Sequence, residues 1–376
     1  MKSIKRLKPL IKLELKPVLG VGIYLMLVNI LCFMNIKQDM NELWRSYLSG
    51  GIAQFYERMN RIDWLRDLFW NQIYYTIGLY FMGLIVLSLI SFKQDKNLET
   101  GRFLKSLPFT SGERSFVKVL LGSLGYTISF AIYALGLSLM LGNYTEKLTE
   151  VYEVTPIWQI SGQLFDIPEL LVLMFVVYLL GLALYLFCIL VQYIVSHQIG
   201  SIAIAICVIG APFFLLRSIS ACFGLDRESV IVKFGEWFFA LALGGHVPMQ
   251  ITVAGYEQKG EFYSYIQYML GYQIIFYILV SIGLVVAIRK LSKLQLLEEN
   301  DKLIPVAGLR WFFIIGVTLC GGFLVCDVYL YFIEPLLETS SIVCKWLSLV
   351  LGFAASFMIA KKIACIGLGK RKGVRV

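Results

Sequence analysis

The sequence predicts an all-α polytopic membrane protein with about eight transmembrane helices. Hydrophobic residues make up 58% of the 376 residues, charged residues make up 16%, and the mean hydropathy is +0.74. Soluble domains are instead about 45–50% apolar and about 25% charged. A transmembrane helix needs about 20 apolar residues, and most apolar runs of this chain reach that length. The runs lie at 18–35, 69–91, 119–141, 170–195, 199–216, 265–288, 311–332 and 342–360.

The distribution of charge predicts how these spans are oriented. If the N-terminus is cytoplasmic, the inner segments hold 23 of the 34 Lys and Arg residues but only 7 of the 25 Asp and Glu residues. Basic loops resist translocation, so we expect a cell-membrane protein with both termini cytoplasmic. The basic total then reports topology and does not indicate a nucleic-acid partner. The inner segments under this topology are 1–17, 92–118, 196–198, 289–310 and 361–376.

Tryptophan placement agrees with this orientation. Six of the seven Trp residues fall on the outer side or at its interface, where amphipathic rings form an aromatic belt. They are Trp44, Trp64, Trp70, Trp158, Trp237 and Trp346.

Residues 1–17 predict a cytoplasmic amphipathic helix in the membrane interface. Its lysines would face anionic headgroups while its apolar side enters the bilayer. The alternative is a basic flank that only sets topology. The apolar side carries Ile4, Leu7, Ile11 and Leu15, and the opposite side carries Lys5, Lys8, Lys12 and Lys16.

Only Ser196, His197 and Gln198 separate the fourth and fifth spans. We predict a tight helical hairpin there, because merging the two spans would move the later basic segments outside.

The external segment 217–264 contains an apolar run, 229–243, that is too short and too charged to span the membrane. It predicts either a re-entrant helix or an external cap.

The cytoplasmic segment 92–118 predicts a rigid elbow. Leu98, Phe103, Leu104 and Leu107 lie among charged residues and suit a short helix with an apolar docking face. Pro108 ends this helix, because the residue before proline is disfavoured in the helical region. Thr110 and Glu113 have the spacing of a capping box that begins the next helix. The alternative is an ordinary charged loop.

Residues that carry chemistry are scarce. The one Gly-Lys pair, Gly369-Lys370, has Ala364 where a P-loop needs its first glycine. His197 and His246 are predicted on opposite sides of the membrane, which argues against a histidine metal site or a Ser-His-Asp arrangement. We therefore expect no catalytic, cofactor or metal site in this chain, and no enzyme activity.

Two features near the outer side of the membrane leave alternatives open. Asp327, near the end of the seventh span, and Lys345, at the start of the eighth, predict an intramembrane polar pair or a structural pair near the headgroups. Cys222 and Cys344 are both predicted to be external, so a disulfide between them is conceivable. Sequence does not supply the geometry that a disulfide requires.

The chain resembles the permease subunits of bacterial ABC-2 type transporters. The resemblance rests on the run Glu99-Thr100-Gly101-Arg102-Phe103-Leu104-Lys105-Ser106-Leu107-Pro108 and on 113–118, which leads into the third span. In that family the matching segment is a coupling helix. The N-terminal helix at 2–16 and a re-entrant segment at 229–255 also fit. The match covers 1–288, with 18–288 as a six-span core, whereas the two further spans in 289–376 resemble the longer members.

The resemblance implies an ATP-driven exporter whose coupling helix docks on a separate ATPase. It implies two copies of that ATP-binding subunit, which would hold ATP and Mg, a second permease subunit, identical or related, and contact with membrane lipids. The spans are aromatic-rich and nearly uncharged, which favours an amphipathic peptide, a lipid or another apolar substrate. Alternative functions are a membrane-embedded lipid-modifying enzyme and a non-transporting scaffold or sensor. The docking residues would be Leu98, Glu99, Gly101, Arg102, Phe103, Leu104, Lys105, Leu107 and Pro108.

Overall fold

The protein is helical throughout the part of the chain that the structure, a computed structural model, describes. That part comprises residues 2–49, 64–97, 100, 106, 108–154, 167–225, 229–230, 232–235, 259–294, 307–333 and 342–365, and it contains no strand. Within it, eight helices are long and apolar enough to cross a membrane. This confirms the predicted all-α polytopic class. The helices are α1 (Lys2–Leu48), α2 (Trp64–Lys96), α3 (Ser111–Val154), α4 (Ile167–Ile194), α5 (Gln198–Phe223), α6 (Lys259–Leu294), α7 (Ala307–Val328) and α8 (Ile342–Ala364), with a π-helical turn at Tyr329–Ile333.

Helix α1 joins the predicted N-terminal helix and the first span without a break. Pro9 and Pro17 both lie inside it, so these residues do not end the helix, although proline removes a backbone hydrogen bond and bends a helix. Its buried face carries Leu10 and Glu14, whereas Leu15 is 38% exposed. The buried stripe is therefore rotated relative to the predicted apolar face. The position of 2–16 in the membrane interface stays a prediction.

The fourth and fifth spans are two separate helices, as predicted. Helix α4 ends at Ile194 and α5 begins at Gln198. His197 caps α5, because its Nδ1 accepts a hydrogen bond of 3.0 Å from the backbone N–H of Gly200. Val191 and Val195 on one side of the turn pack with Ala205 on the other. The chain therefore reverses at this turn.

Contacts divide the chain into two units. Unit 1 consists of Met1–Ser91, Arg114–Leu186 and His246–Leu284. Unit 2 consists of Phe92–Glu113, Phe187–Gly245 and Val285–Val376. The division passes through α2, α3, α4 and α6, so these helices contribute to both units.

Unit 1 has a buried centre made of hydrogen bonds and aromatic rings. The Tyr80 hydroxyl donates to the Asn29 side-chain oxygen at 2.6 Å and lies 3.0 Å from the Ser129 carbonyl, to which the Asn29 amide donates at 3.1 Å. These three residues are at most 2% exposed. Helices α1, α2 and α3 therefore meet at one polar point. The surrounding rings, in contact with one another, are Tyr126, Phe130, Tyr133 and Tyr178.

Unit 2 contains a hairpin of α7 and α8 that packs through glycines. Cβ atoms placed at Gly321 and Gly322 would overlap the side chains of Ser356 and Phe353 on α8. A Cβ placed at Gly352 would lie 3.0 Å from the Gly322 carbonyl oxygen. The two backbones are thus in direct contact, as small residues permit between membrane helices.

The segment predicted to be external is described only in part. Of the range 229–255, the structure describes residues 229, 230 and 232–235, so the choice between a re-entrant helix and an external cap lies largely outside the described residues. Val230 is 82% exposed and Phe234 is 57% exposed.

Candidate functional site

The docking surface predicted from sequence lies mostly outside the described residues. Pro108 is described and exposed, whereas Leu98, Glu99, Leu107 and the range 101–105 are not described. Their assignment to the docking surface stays a prediction.

The second half of the predicted elbow has the expected local structure. The backbone N–H of Thr110 donates to Glu113 Oε2 at 2.8 Å. In return, the backbone N–H of Glu113 donates to Thr110 Oγ1 at 3.2 Å. These reciprocal bonds are the two that define a capping box, and α3 begins at Ser111. The capping-box prediction is therefore confirmed, and the direction in which the chain enters α3 is fixed by this box.

A buried ion pair lies where segment 92–118 joins the helices of unit 1. The Lys118 ammonium is 2.8 Å from Glu14 Oε1, and the two side chains are 2% and 8% exposed. The same ammonium donates a hydrogen bond to the backbone carbonyl of Ser91. Ser91 immediately precedes the segment and Lys118 is its last residue. The residue before the segment, the last residue of the segment and helix α1 are therefore joined at one nitrogen atom.

Helix α4 is attached to the same point. The Tyr185 hydroxyl donates to the backbone carbonyl of Lys118 at 3.1 Å, and Tyr185 is fully buried. A side chain at Gly122 would overlap this hydroxyl. Glycine at 122 thus leaves the space that the tyrosine needs, and four helices share this junction.

The electrostatics of the junction favour a fixed structure. Burying an ammonium or a carboxylate costs several kcal/mol unless each is paired and hydrogen-bonded, and here the Lys118 ammonium has both a carboxylate and a carbonyl acceptor. Removing one member of such a pair costs about 3–5 kcal/mol, because the other charge is left buried and unpaired. The arrangement can therefore hold the ends of segment 92–118 rigidly, and it resists any separation of Glu14 from Lys118.

Unit 2 contains a half-buried lysine that joins two helix ends. Lys96, in the last turn of α2, donates to Gln192 Oε1 and, at 2.8 Å, to the backbone carbonyl of Val195. Beside it, Phe92 packs edge-on against Tyr193 with ring centroids 4.9 Å apart. The last turn of α2 is thereby tied to the end of α4.

Asp327, one member of the predicted polar pair, is hydrogen-bonded to helix α5. Asp327 Oδ2 accepts a hydrogen bond from the Ser218 hydroxyl on α5. Its other carboxylate oxygen is buried and has no hydrogen-bond partner among the described residues. The pairing of Asp327 with Lys345 stays a prediction.

The ion pair was not among the sites predicted from sequence. The sequence pattern singles out Glu14 only as a charge that sets topology, and Lys118 only as such a charge and as the last residue of the run 113–118. A signal was present: Glu14 lies four residues after Leu10 and four before Val18, and all three are buried on one face of α1. A carboxylate on the buried stripe of a membrane helix requires a partner, but its position does not identify the partner as Lys118.

Comparisons with known proteins give no relative. No family model, no curated protein and no solved structure matches the chain significantly. Within the described ranges, no group of three or more His, Cys, Asp or Glu side chains is placed to hold a metal ion. The candidate site therefore rests on its geometry alone.

Proposed function

We propose that this protein is the permease subunit of an ATP-driven ABC-2 type exporter, and that its substrate is an amphipathic peptide, a lipid or another apolar compound. In this proposal segment 92–118 docks on a separate ATP-binding subunit, and the Glu14–Lys118 pair transmits the motion of that segment to α1. The observation that carries the proposal is the buried Lys118 ammonium, at the end of the segment, which binds Glu14 and the carbonyl of Ser91, the residue just before the segment.

A segment that transmits force must be held firmly at both ends. Lys118 and the capping box at Thr110 and Glu113 fix the segment where it enters α3. Lys96, within the segment, ties the last turn of α2 to the end of α4. A displacement at Lys96 or at the capping box would therefore be passed on to whole helices.

ATP binding drives such a change only if it favours one arrangement of the helices. Closure of two ATP-binding subunits would draw together the elbows of two permease subunits. Since the junction is closely packed, the helices would respond by a discrete rearrangement. The ATPase would supply ATP, Mg and hydrolysis, and this chain would supply the translocation path.

The docking step is tested with Phe103→Ala combined with Leu104→Ala. Interface energy concentrates in a few buried anchors, so this double variant should lose the ATPase on co-purification and should lose ATP-driven export. Its melting temperature in detergent should match that of the unchanged protein, because neither residue belongs to a membrane span.

A matched control is Val230→Ala combined with Phe234→Ala. These residues are exposed, at 82% and 57%, and they belong to the predicted external segment. The control should retain both the ATPase and export. Retention of the ATPase by the Phe103 and Leu104 variant would contradict the docking assignment. Failure of any ATPase to co-purify with the unchanged protein would contradict the exporter proposal.

A further inference from the structure

Two buried cysteines face each other between α5 and α7. Cys222 lies in the last turn of α5 and Cys326 lies near the end of α7, 104 positions later. Their sulfur atoms are 2.7 Å apart, and the residues are 5% and 0% exposed. Both belong to unit 2. A sulfur–sulfur bond is about 2.0 Å long, so a small approach would bring the two atoms to bonding distance.

Contacts on both sides hold the two cysteines in this position. One turn earlier on α5, the Ser218 hydroxyl donates to Asp327, the residue after Cys326. One residue later on α5, the Phe223 ring packs edge-on against Trp346 of α8 with centroids 5.9 Å apart. Phe323 and Leu349 pack against the cysteines themselves. The packing of α5, α7 and α8 therefore places the two cysteines next to each other.

The predicted topology places this pair near the outer surface of the membrane. The fifth and seventh spans both run outward in that topology, and each cysteine lies close to the outer end of its span. Disulfides form and persist on the extracytoplasmic side and are rare in the reducing cytosol. The predicted extracytoplasmic position and the short sulfur–sulfur distance thus both favour a disulfide between Cys222 and Cys326.

We propose that Cys222 and Cys326 form a disulfide that fastens the α7–α8 hairpin to α5. This inference rests on the predicted topology and does not depend on the exporter function. It replaces Cys344, considered above as the partner of Cys222, with Cys326.

The oxidant would be a disulfide-bearing thiol oxidoreductase outside the membrane. The thiolate of one cysteine attacks the oxidoreductase disulfide, which gives a mixed disulfide and releases one oxidoreductase thiolate. The thiolate of the second cysteine then attacks the bound sulfur and displaces the oxidoreductase. The pair has lost two protons and two electrons, and the oxidoreductase leaves as a dithiol.

The test counts cysteines that become reactive only after reduction. Full-length protein in membranes is denatured in N-ethylmaleimide without reductant, which blocks every thiol, and is then reduced and labelled with a polyethylene glycol maleimide. The unchanged protein should gain two tags, seen as a mobility shift on a gel. Cys222→Ser and Cys326→Ser should each gain none, and Cys344→Ser should gain two.

Three results would overturn the proposal. No tag on the unchanged protein would mean that both thiols are reduced. No tag on Cys344→Ser, together with two tags on Cys326→Ser, would place the bond at Cys344. Two tags on Cys222→Ser would place the bond between other cysteines.

A second measurement uses two native cysteines to test which end of α8 faces the outside of the cell. Cys344 and Cys365 are exposed; Cys344 lies in the first turn of α8, and Cys365 directly follows its last residue. In variants that keep only one cysteine, an impermeant maleimide applied to intact cells should label Cys344 and leave Cys365 unlabelled. Labelling of Cys365 alone would place the Cys222–Cys326 pair at the cytoplasmic side and would overturn the proposal.

Discussion

Different kinds of contact stabilise the interior of each of the two units. In unit 1, the Asn29, Tyr80 and Ser129 hydrogen bonds lie among aromatic rings. In the α7–α8 hairpin of unit 2, Gly322 and Gly352 bring two backbones into contact. Because lipid tails are apolar, the hydrophobic effect does not drive membrane helices together. Interhelical hydrogen bonds and close packing drive their association instead. This one chain uses both solutions.

The difference teaches which kind of change each unit tolerates. A hydrogen-bonded junction is sensitive to the loss of a polar atom, because its partner is then left buried without a replacement. A glycine contact is sensitive to added volume, because the neighbouring backbone cannot move aside. The predictions below test these two sensitivities, beginning with the buried charges of unit 1.

The largest effect is expected from Lys118→Met. Removing the ammonium leaves the Glu14 carboxylate buried without its ion-pair partner, so the free energy of unfolding should fall by about 3–5 kcal/mol. Unfolding of the purified variant in detergent, followed by circular dichroism, measures this change. Adding Glu14→Leu should recover most of the loss, because an apolar pair of similar volume carries no desolvation cost. A double variant as unstable as Lys118→Met would contradict the ion-pair explanation.

A smaller effect is expected from Gly352→Ala in the hairpin. The new Cβ would lie 2.8 Å from the Val325 Cβ and 3.2 Å from the Gly322 Cα, and overpacking costs about 1–3 kcal/mol. The matched control is Gly316→Ala on α7, where a Cβ would meet nothing within 4 Å. The control should be neutral or stabilise the helix by up to about 1 kcal/mol. Equal melting temperatures for the two variants would show that the glycines do not set the helix separation.

The smallest effect is expected from Tyr80→Phe in the centre of unit 1. The change removes the hydroxyl that donates to Asn29 and keeps the ring. Hydrogen bonds between membrane helices contribute about 0.6 kcal/mol on average and at most about 1.7 kcal/mol. Tyr75→Phe is the control on the same helix, because Tyr75 is 72% exposed. A loss above 3 kcal/mol for Tyr80→Phe but not for Tyr75→Phe would mean that the hydroxyl organises the whole aromatic centre.

Local features of the fold could be predicted from sequence. The eight spans follow from hydropathy, and the beginning of α3 follows from Thr110 and Glu113, whose capping bonds join residues three positions apart. The turn between α4 and α5 was predicted from the basic segments that follow it. Each of these depends on neighbouring residues or on the average charge of a segment.

The contacts between distant helices could not be predicted in the same way. Hydropathy and charge give the depth and direction of a span, but they do not give its rotation about its own axis. Glu14 faces Lys118 and Cys222 faces Cys326 because of those rotations. For the same reason, the buried face of α1, which carries Leu10 and Glu14, differs from the apolar face predicted from sequence.

The hydrogen bond between Asn29 and Ser129 also has a consequence for the order of events during synthesis. The two residues are 100 positions apart, and ribosomes add about 5–20 residues per second. Helix α1 therefore waits roughly 5–20 seconds in the membrane before its acceptor on α3 is made. During that interval the Asn29 amide has no Ser129 carbonyl to bind, so this contact between α1 and α3 forms only after all of α2 has been synthesised.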